Sequence, residues 1–150
     1  NVFWVVDQTY LIVALGTGLI TFFVARLLHL PPKLFLIPDA LGLALFTVVG
    51  TQVALQWHAP WLVASLMGVT TGVFGGVLRD ILCNDVPLVF LKGELYATAA
   101  WAGALSMIAL EAANVSSVTA SWLAMGLILG IRLLAMRYRI TLPALGQPKA

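Results

Sequence analysis

Polar residues interrupt this chain at regular intervals, and between the interruptions it is almost continuously apolar. The apolar runs cover residues 9–28, 39–56, 61–82, 94–113 and 118–137. Each is close to the roughly 20 residues that a helix needs to cross a hydrocarbon core. The interruptions are helix punctuation. Pro31-Pro32 closes the first run, and Pro38-Asp39 opens the second, with Asp39 as its N-cap candidate. Trp57-His58-Ala59-Pro60-Trp61 makes a short turn whose two indoles suit a lipid–water interface. Asn84-Asp85-Val86-Pro87 breaks the chain after the third run, and Asn114-Val-Ser-Ser117 separates the last two. The tail 141–150, with Pro143, Gly146 and Pro148, is expected to be flexible. The pattern predicts an all-α membrane protein, a single transmembrane domain over 1–150 built as a bundle of five spans.

Composition agrees with that class. Hydrophobic residues make up 61% of the chain and charged residues 9%, and the mean hydropathy is +1.02, more apolar surface than a water-soluble core can hide. The net charge of +2 does not point to nucleic acid, because the basic residues form no stripe. Lys and Arg mark alternate connections instead: Arg26 and Lys33 after the first run, Arg79 and Lys92 after the third, and Arg137, Arg139 and Lys149 after the fifth. The connections at 57–61 and 114–117 carry no Lys or Arg. By the positive-inside rule the C-terminus is cytoplasmic and Asn1 lies outside. The single cysteine, Cys83, excludes an intrachain disulfide or a CxxC site.

The stretch Gly68-Val-Thr-Thr-Gly72-Val-Phe-Gly75-Gly76-Val-Leu-Arg79-Asp80 places glycines, hydroxyls and an Arg-Asp pair at the inner end of the third run. Gly68, Gly72, Gly75, Gly76 and Arg79 follow helical spacing and share one face, and a small-residue face meets another helix rather than lipid. Two readings of the glycines stay open. Adjacent glycines weaken a helix by about 1 kcal/mol each against alanine, so Gly72, Gly75 and Gly76 are candidates for a pore kink that frees carbonyls toward a water-filled cavity. Those carbonyls, with the hydroxyls of Thr70 and Thr71, can then replace part of a cation's hydration shell. Alternatively the glycines only let two backbones approach closely. Arg79 divides in the same way. It lies about 27 Å inward from Trp61 at helical rise, near an interface to which it can snorkel. It can equally pair with Asp80 or a neighbouring carboxylate and act as a gate.

The remaining polar residues are weaker candidates. Asp39 is read as a helix cap, and Glu111 lies near the outer end of the fourth run. Thr47, Gln52 and Thr98 suit interhelical hydrogen bonds as well as pore lining, and Gly42 and Gly50 suit packing with Gly68. His29 and His58 sit at run ends without clustered partners, so no metal site is expected. Nothing resembles a catalytic triad, a phosphate loop or a paired-carboxylate site, so the chain is not expected to be an enzyme. Residues 1–10, leading into one run and ending in Tyr10, resemble residues 87–96, leading into another and ending in Tyr96. The first copy would lie outside and the second inside, which makes the two units inverted. A counterpart of Arg79-Asp80 would then fall ahead of Asn1, so the chain is expected to be part of a longer protein.

Gly72-Val-Phe-Gly75-Gly76-Val-Leu-Arg79-Asp80, followed by Pro87-Leu-Val-Phe90, resembles the glycine-rich Arg-Asp signature of the prokaryotic TRIC family, the trimeric intracellular cation channels. Residues 39–50, from Asp39 through Gly42 and Phe46 to Gly50, resemble the helix that precedes it in that family. The resemblance implies a seven-span fold of two inverted three-helix repeats plus one helix, truncated here at the N-terminus. It also implies a homotrimer among membrane lipids, with bound lipid an option, and a potassium-permeable pore inside each protomer. No cofactor is implied beyond the permeant potassium ion. A different class stays open beside it: a secondary transporter of a small solute such as glycine or another small amino acid, since inverted repeats with broken helices are also carrier architecture.

Overall fold

The computed structural model describes residues 9–27, 36–90 and 95–138. The regular elements of these segments are all helical: α1 Thr9–Leu27, α2 Leu36–Gln56, α3 Trp61–Leu82, a 3-10 turn Leu88–Phe90, α4 Ala97–Ala112 and α5 Ser117–Tyr138. The chain divides into two compact units, Asn1–Phe35 and Leu36–Ala150. The first holds α1, on which Thr17 Oγ1 donates to the Val13 carbonyl at 2.7 Å and so satisfies its hydroxyl within the helix. The second holds the other four helices. Residues 1–8, which carry most of the first repeat copy, and the tail 141–150 lie outside the described residues, as do Lys33, Lys92, Arg139 and Lys149.

Three helix ends share one closing geometry. His58, Asn84 and Asn114 have φ of 57°, 58° and 62°, and each follows the last turn of α2, α3 or α4. In each case the positive-φ residue donates three residues back, to Leu55, Ile81 or Glu111, and the next residue donates five back, to Ala54, Asp80 or Leu110. This is the Schellman arrangement, which satisfies carbonyls the helix leaves open. Asparagine is the residue other than glycine that tolerates it best. The three polar interruptions therefore stop helices for a definite stereochemical reason.

Two helix starts differ from the sequence expectation. The run expected over 39–56 begins at Leu36, because Pro38 lies in the first turn, where its missing N–H has no partner to lose. Asp39 is consequently not the N-cap but a first-turn residue, its side chain released for other contacts. The run expected over 94–113 is helical only over Ala97–Ala112, 16 residues, with Tyr96 at its N-cap position. Tyr96 leaves the helix so that its hydroxyl can reach Asp39. Among the described residues, α2, α3 and α5 are long and apolar enough to cross a membrane.

Within the second unit α2 packs on α3, α4 and α5, and the α2–α3 pair is the most extensive. The buried set includes Leu43, Ala44, Val48, Ala100, Met107, Ala120, Ala124 and Ile128, mostly small side chains. Leu41, Phe46, Phe74, Trp122 and Leu123 are exposed on the outside, as suits a bundle whose outer solvent is lipid. Gly103 on α4 sits so close to Ile128 on α5 that a methyl group there would collide with its side chain. Trp101 Nε1 donates to Ser65 Oγ at 3.2 Å, while Ser65 donates to the Leu62 carbonyl at 2.8 Å, tying α4 to α3.

Candidate functional site

The contact between α2 and α3 is a ladder with a four-residue step. Gly68, Gly72, Gly76 and Asp80 are buried along α3, and Leu43, Thr47 and Thr51 are buried along α2 in continuation of Asp39. A methyl group at Gly68 would strike Thr51 Oγ1 and lie 2.7 Å from the Thr47 carbonyl oxygen. At Gly72 it would strike Thr47 Oγ1 and lie 2.9 Å from the Leu43 carbonyl oxygen, and at Gly50 it would lie 2.7 Å from Thr71 Oγ1. The two backbones approach this closely only because the ridge on α3 has no side chains.

Of the expected packing glycines, Gly50 and Gly68 lie in this contact, whereas a methyl group at Gly42 would meet nothing within 4 Å. Gly72 and Gly76, read as a kink, belong to the ladder, and α3 runs without interruption from Trp61 to Leu82. Gly75 faces open space, off the buried ridge, so the five residues assigned to one face separate into two. Thr70 and Thr71 donate back to the Leu66 and Met67 carbonyls at 2.8 and 2.7 Å and are more open than Thr47. Thr51 Oγ1 donates to the Thr47 carbonyl at 2.8 Å, while Thr47 Oγ1 is buried against α3 with no hydrogen-bond partner among the described residues.

At the end of the ladder the small residues give way to charge. Arg79 Nη1 donates to Asp39 Oδ1 at 2.6 Å, and its Nη2 and Nε donate to Asp80 Oδ1 at 2.6 and 2.8 Å. One guanidinium thus bridges a carboxylate on α2 and another on α3, using the fork geometry in which arginine differs from lysine. Tyr96 Oη donates to the same Asp39 Oδ1 at 3.1 Å, and the absence of a side chain at Gly76 leaves room for that hydroxyl. The Asp39 side chain is 6% exposed, against 35% for Arg79. Its second oxygen, Oδ2, is buried without a hydrogen-bond partner among the described residues. Arg132 of α5 is 1% exposed and stacks over the Tyr96 ring, 4.7 Å from the centroid, a cation–π contact. Two aspartates and two arginines from α2, α3 and α5, with Tyr96 ahead of α4, therefore converge at one end of the bundle.

Of the two expectations for Arg79, the structure shows the pairing with Asp80 and a neighbouring carboxylate. The sequence reading assigns Asp39 a capping role, notes Tyr96 only as part of a repeat and misses Arg132. A signal for Arg132 existed: an arginine well inside an apolar run is expensive unless protein surrounds it. In the sequence Arg132 stands close to Arg137 and Arg139, which mark the end of the same run. Among the described residues no group of three or more His, Cys, Asp or Glu is placed to hold a metal ion.

An all-helical bundle with large apolar residues outside, a glycine ladder inside and a closed charge cluster at one end is an integral membrane protein with a polar device in its interior. Residues 36–112 match the family model described as Glycine transporter. The chain is 41% identical over 144 residues to the UPF0126 inner membrane protein YadS of Escherichia coli strain K12, covering 95% of this chain and 69% of that protein. It is 38% identical over 152 residues to a UPF0126 membrane protein of Vibrio cholerae serotype O1, covering 99% and 62%. Among solved structures it is similar to the TRIC trimeric intracellular cation channel orthologue from Rhodobacter sphaeroides, with a TM-score of 0.83 at 37% identity over 93% of this chain and 72% of that one. A second solved structure, of a TRIC cation channel, gives 0.81 at 30% identity over 98% and 72%. The chain belongs to this family, that of the UPF0126 membrane proteins and the prokaryotic TRIC channels, and is an integral protein of a bacterial inner membrane.

Proposed function

We propose that this chain forms most of the conducting unit of a cation channel selective for potassium, assembled as a homotrimer with one pathway per protomer, and that Arg79 with Asp80 gates it. The family and the likeness to TRIC cation channels support the channel, and the word trimeric in the name of the Rhodobacter sphaeroides relative supports the assembly. The observation that carries the gate is the position of Arg79, clamped between Asp39 and Asp80 at the end of the glycine ladder. A guanidinium in a narrow pathway repels cations, and here it is held by two carboxylates that would otherwise attract them. Movement of Arg79 away from Asp39 removes the barrier and opens an acidic site in one step. Thr70 and Thr71 serve as lining: their hydroxyl protons are committed to their own helix, which leaves oxygen lone pairs for a passing cation. The alternation of basic connections supports a cytoplasmic C-terminus and, with it, a charge cluster on the cytoplasmic side.

Planar-bilayer recording of the full-length protein under a potassium gradient, wild type against Arg79→Ala, tests this. The wild type is expected to show discrete cation-selective openings, and the variant a higher fraction of time open. The description of the matching family favours a second reading, a secondary carrier of glycine or another small amino acid. A silent bilayer combined with saturable glycine uptake into liposomes would select the carrier.

A further inference from the structure

The opposite end of the four-helix unit carries a second polar construction that the gate does not use. From Asp39 to Gln52 along α2 is about 20 Å at helical rise, and from Tyr96 to Glu111 along α4 about 22 Å. At that far end Gln52, Gln56, Glu111 and Ser117, with Leu55 and Val115, line an open cavity of about 380 Å³. Its polar groups form a directed relay. Gln52 Nε2 donates to Ser117 Oγ at 3.0 Å, and Ser117 Oγ donates to Glu111 Oε1 at 2.7 Å. Ser117 has one proton, and the carboxylate takes it, so the amide must turn its nitrogen to the hydroxyl and keep its carbonyl oxygen as an acceptor. The relay ends on a full negative charge. Glu111 forms no ion pair among the described residues, and the connections at this end, 57–61 and 114–117, contain no Lys or Arg.

We infer that this cavity is a cation-loading vestibule, a site that holds a partly hydrated monovalent cation against Glu111 and the amide oxygens of Gln52 and Gln56 before it enters the pathway. A single carboxylate with neutral oxygens matches one positive charge, whereas divalent cations of the calcium type call for six to eight oxygens and more than one carboxylate. A water occupies about 30 Å³ in the liquid, so the volume admits an ion together with several waters. The apolar walls of Leu55 and Val115 lower the local dielectric and lengthen the reach of the Glu111 charge. The inference rests on the channel reading above and adds to it the residues that concentrate the permeant ion.

The experiment is single-channel recording of the full-length protein at about 0.01 M potassium chloride, where the screening length is about 30 Å, and at 1 M, where it is about 3 Å. Two variants alter the same cavity in opposite senses: Glu111→Gln removes the charge, and Gln56→Glu adds one at its exposed rim. In dilute salt Glu111→Gln is expected to lower the unitary conductance roughly twofold or more and Gln56→Glu to raise it. Both differences should vanish when salt is raised to 1 M on the cavity side alone. If Glu111→Gln does not assemble, Gln56→Glu decides by itself. A wild type that conducts while the assembled variants match it in dilute salt overturns the vestibule and leaves the channel standing. A silent wild type overturns both.

Discussion

Asp39 Oδ1 accepts from two donors on two different elements, Arg79 at 2.6 Å and Tyr96 at 3.1 Å, and the bare backbone of Gly76 leaves room for the Tyr96 hydroxyl and the Asp39 oxygen. Neighbouring glycines should therefore respond oppositely to the same change. Gly76→Ala places a methyl group on Tyr96 Oη, and because the ring is 1% exposed and capped by Arg132, it cannot swing away freely. The expected cost is about 1–3 kcal/mol, the range for overpacking. Gly75→Ala meets nothing within 4 Å and should be neutral or stabilising by up to about 1 kcal/mol, the helix preference for alanine. Chemical unfolding of the two variants in the same detergent checks the contrast. Adjacent glycines look alike in a sequence, and only the four-residue ridge Gly68-Gly72-Gly76-Asp80 separates them. The same limit applies to Asp39, whose position after Pro38 looks like a cap until Arg79 and Tyr96 are seen to claim its carboxylate.

At the scale of elements, the chain's own punctuation placed the helix ends well and their beginnings less well. Asn84 and Asn114 terminate helices because they accept positive φ, a local property of the residue and so readable from it. The starts at Leu36 and Ala97 depend on what Asp39 and Tyr96 do afterwards, which is tertiary information. Asn114→Val should destabilise the α4–α5 junction by about 1–2 kcal/mol, since a β-branched residue at positive φ pays the full left-handed penalty. Asn114→Gly should keep or slightly raise stability. Thermal melts followed by the helical circular dichroism signal distinguish the two. The unbroken course of α3 through Gly75-Gly76 is likewise tertiary. The propensity loss of adjacent glycines argues for a break, and the close seat of Gly72 and Gly76 on α2 and Tyr96 offsets it.

At the scale of the whole molecule, small residues face inward and large apolar ones outward, so the chain's membrane class was plain from composition and its interior was not. Hydropathy cannot distinguish an alanine against a helix from an alanine against lipid. The orientation proposed from the basic connections has a direct check in the native thiol. Cys83 is free and exposed at the end of α3, close to the charge cluster. A membrane-impermeant maleimide should label it in inverted vesicles and leave it unmodified in intact spheroplasts; the reverse pattern would turn the molecule over. The sharing of Asp39 Oδ1 carries one more implication for how such a molecule could open. Under the proposed gating, departure of Arg79 would leave a buried carboxylate supported by one phenol, a state too costly to persist empty. A permeating cation that took the vacated place would then complete the proposed opening, and the lock would be released by exchange of one cation for another.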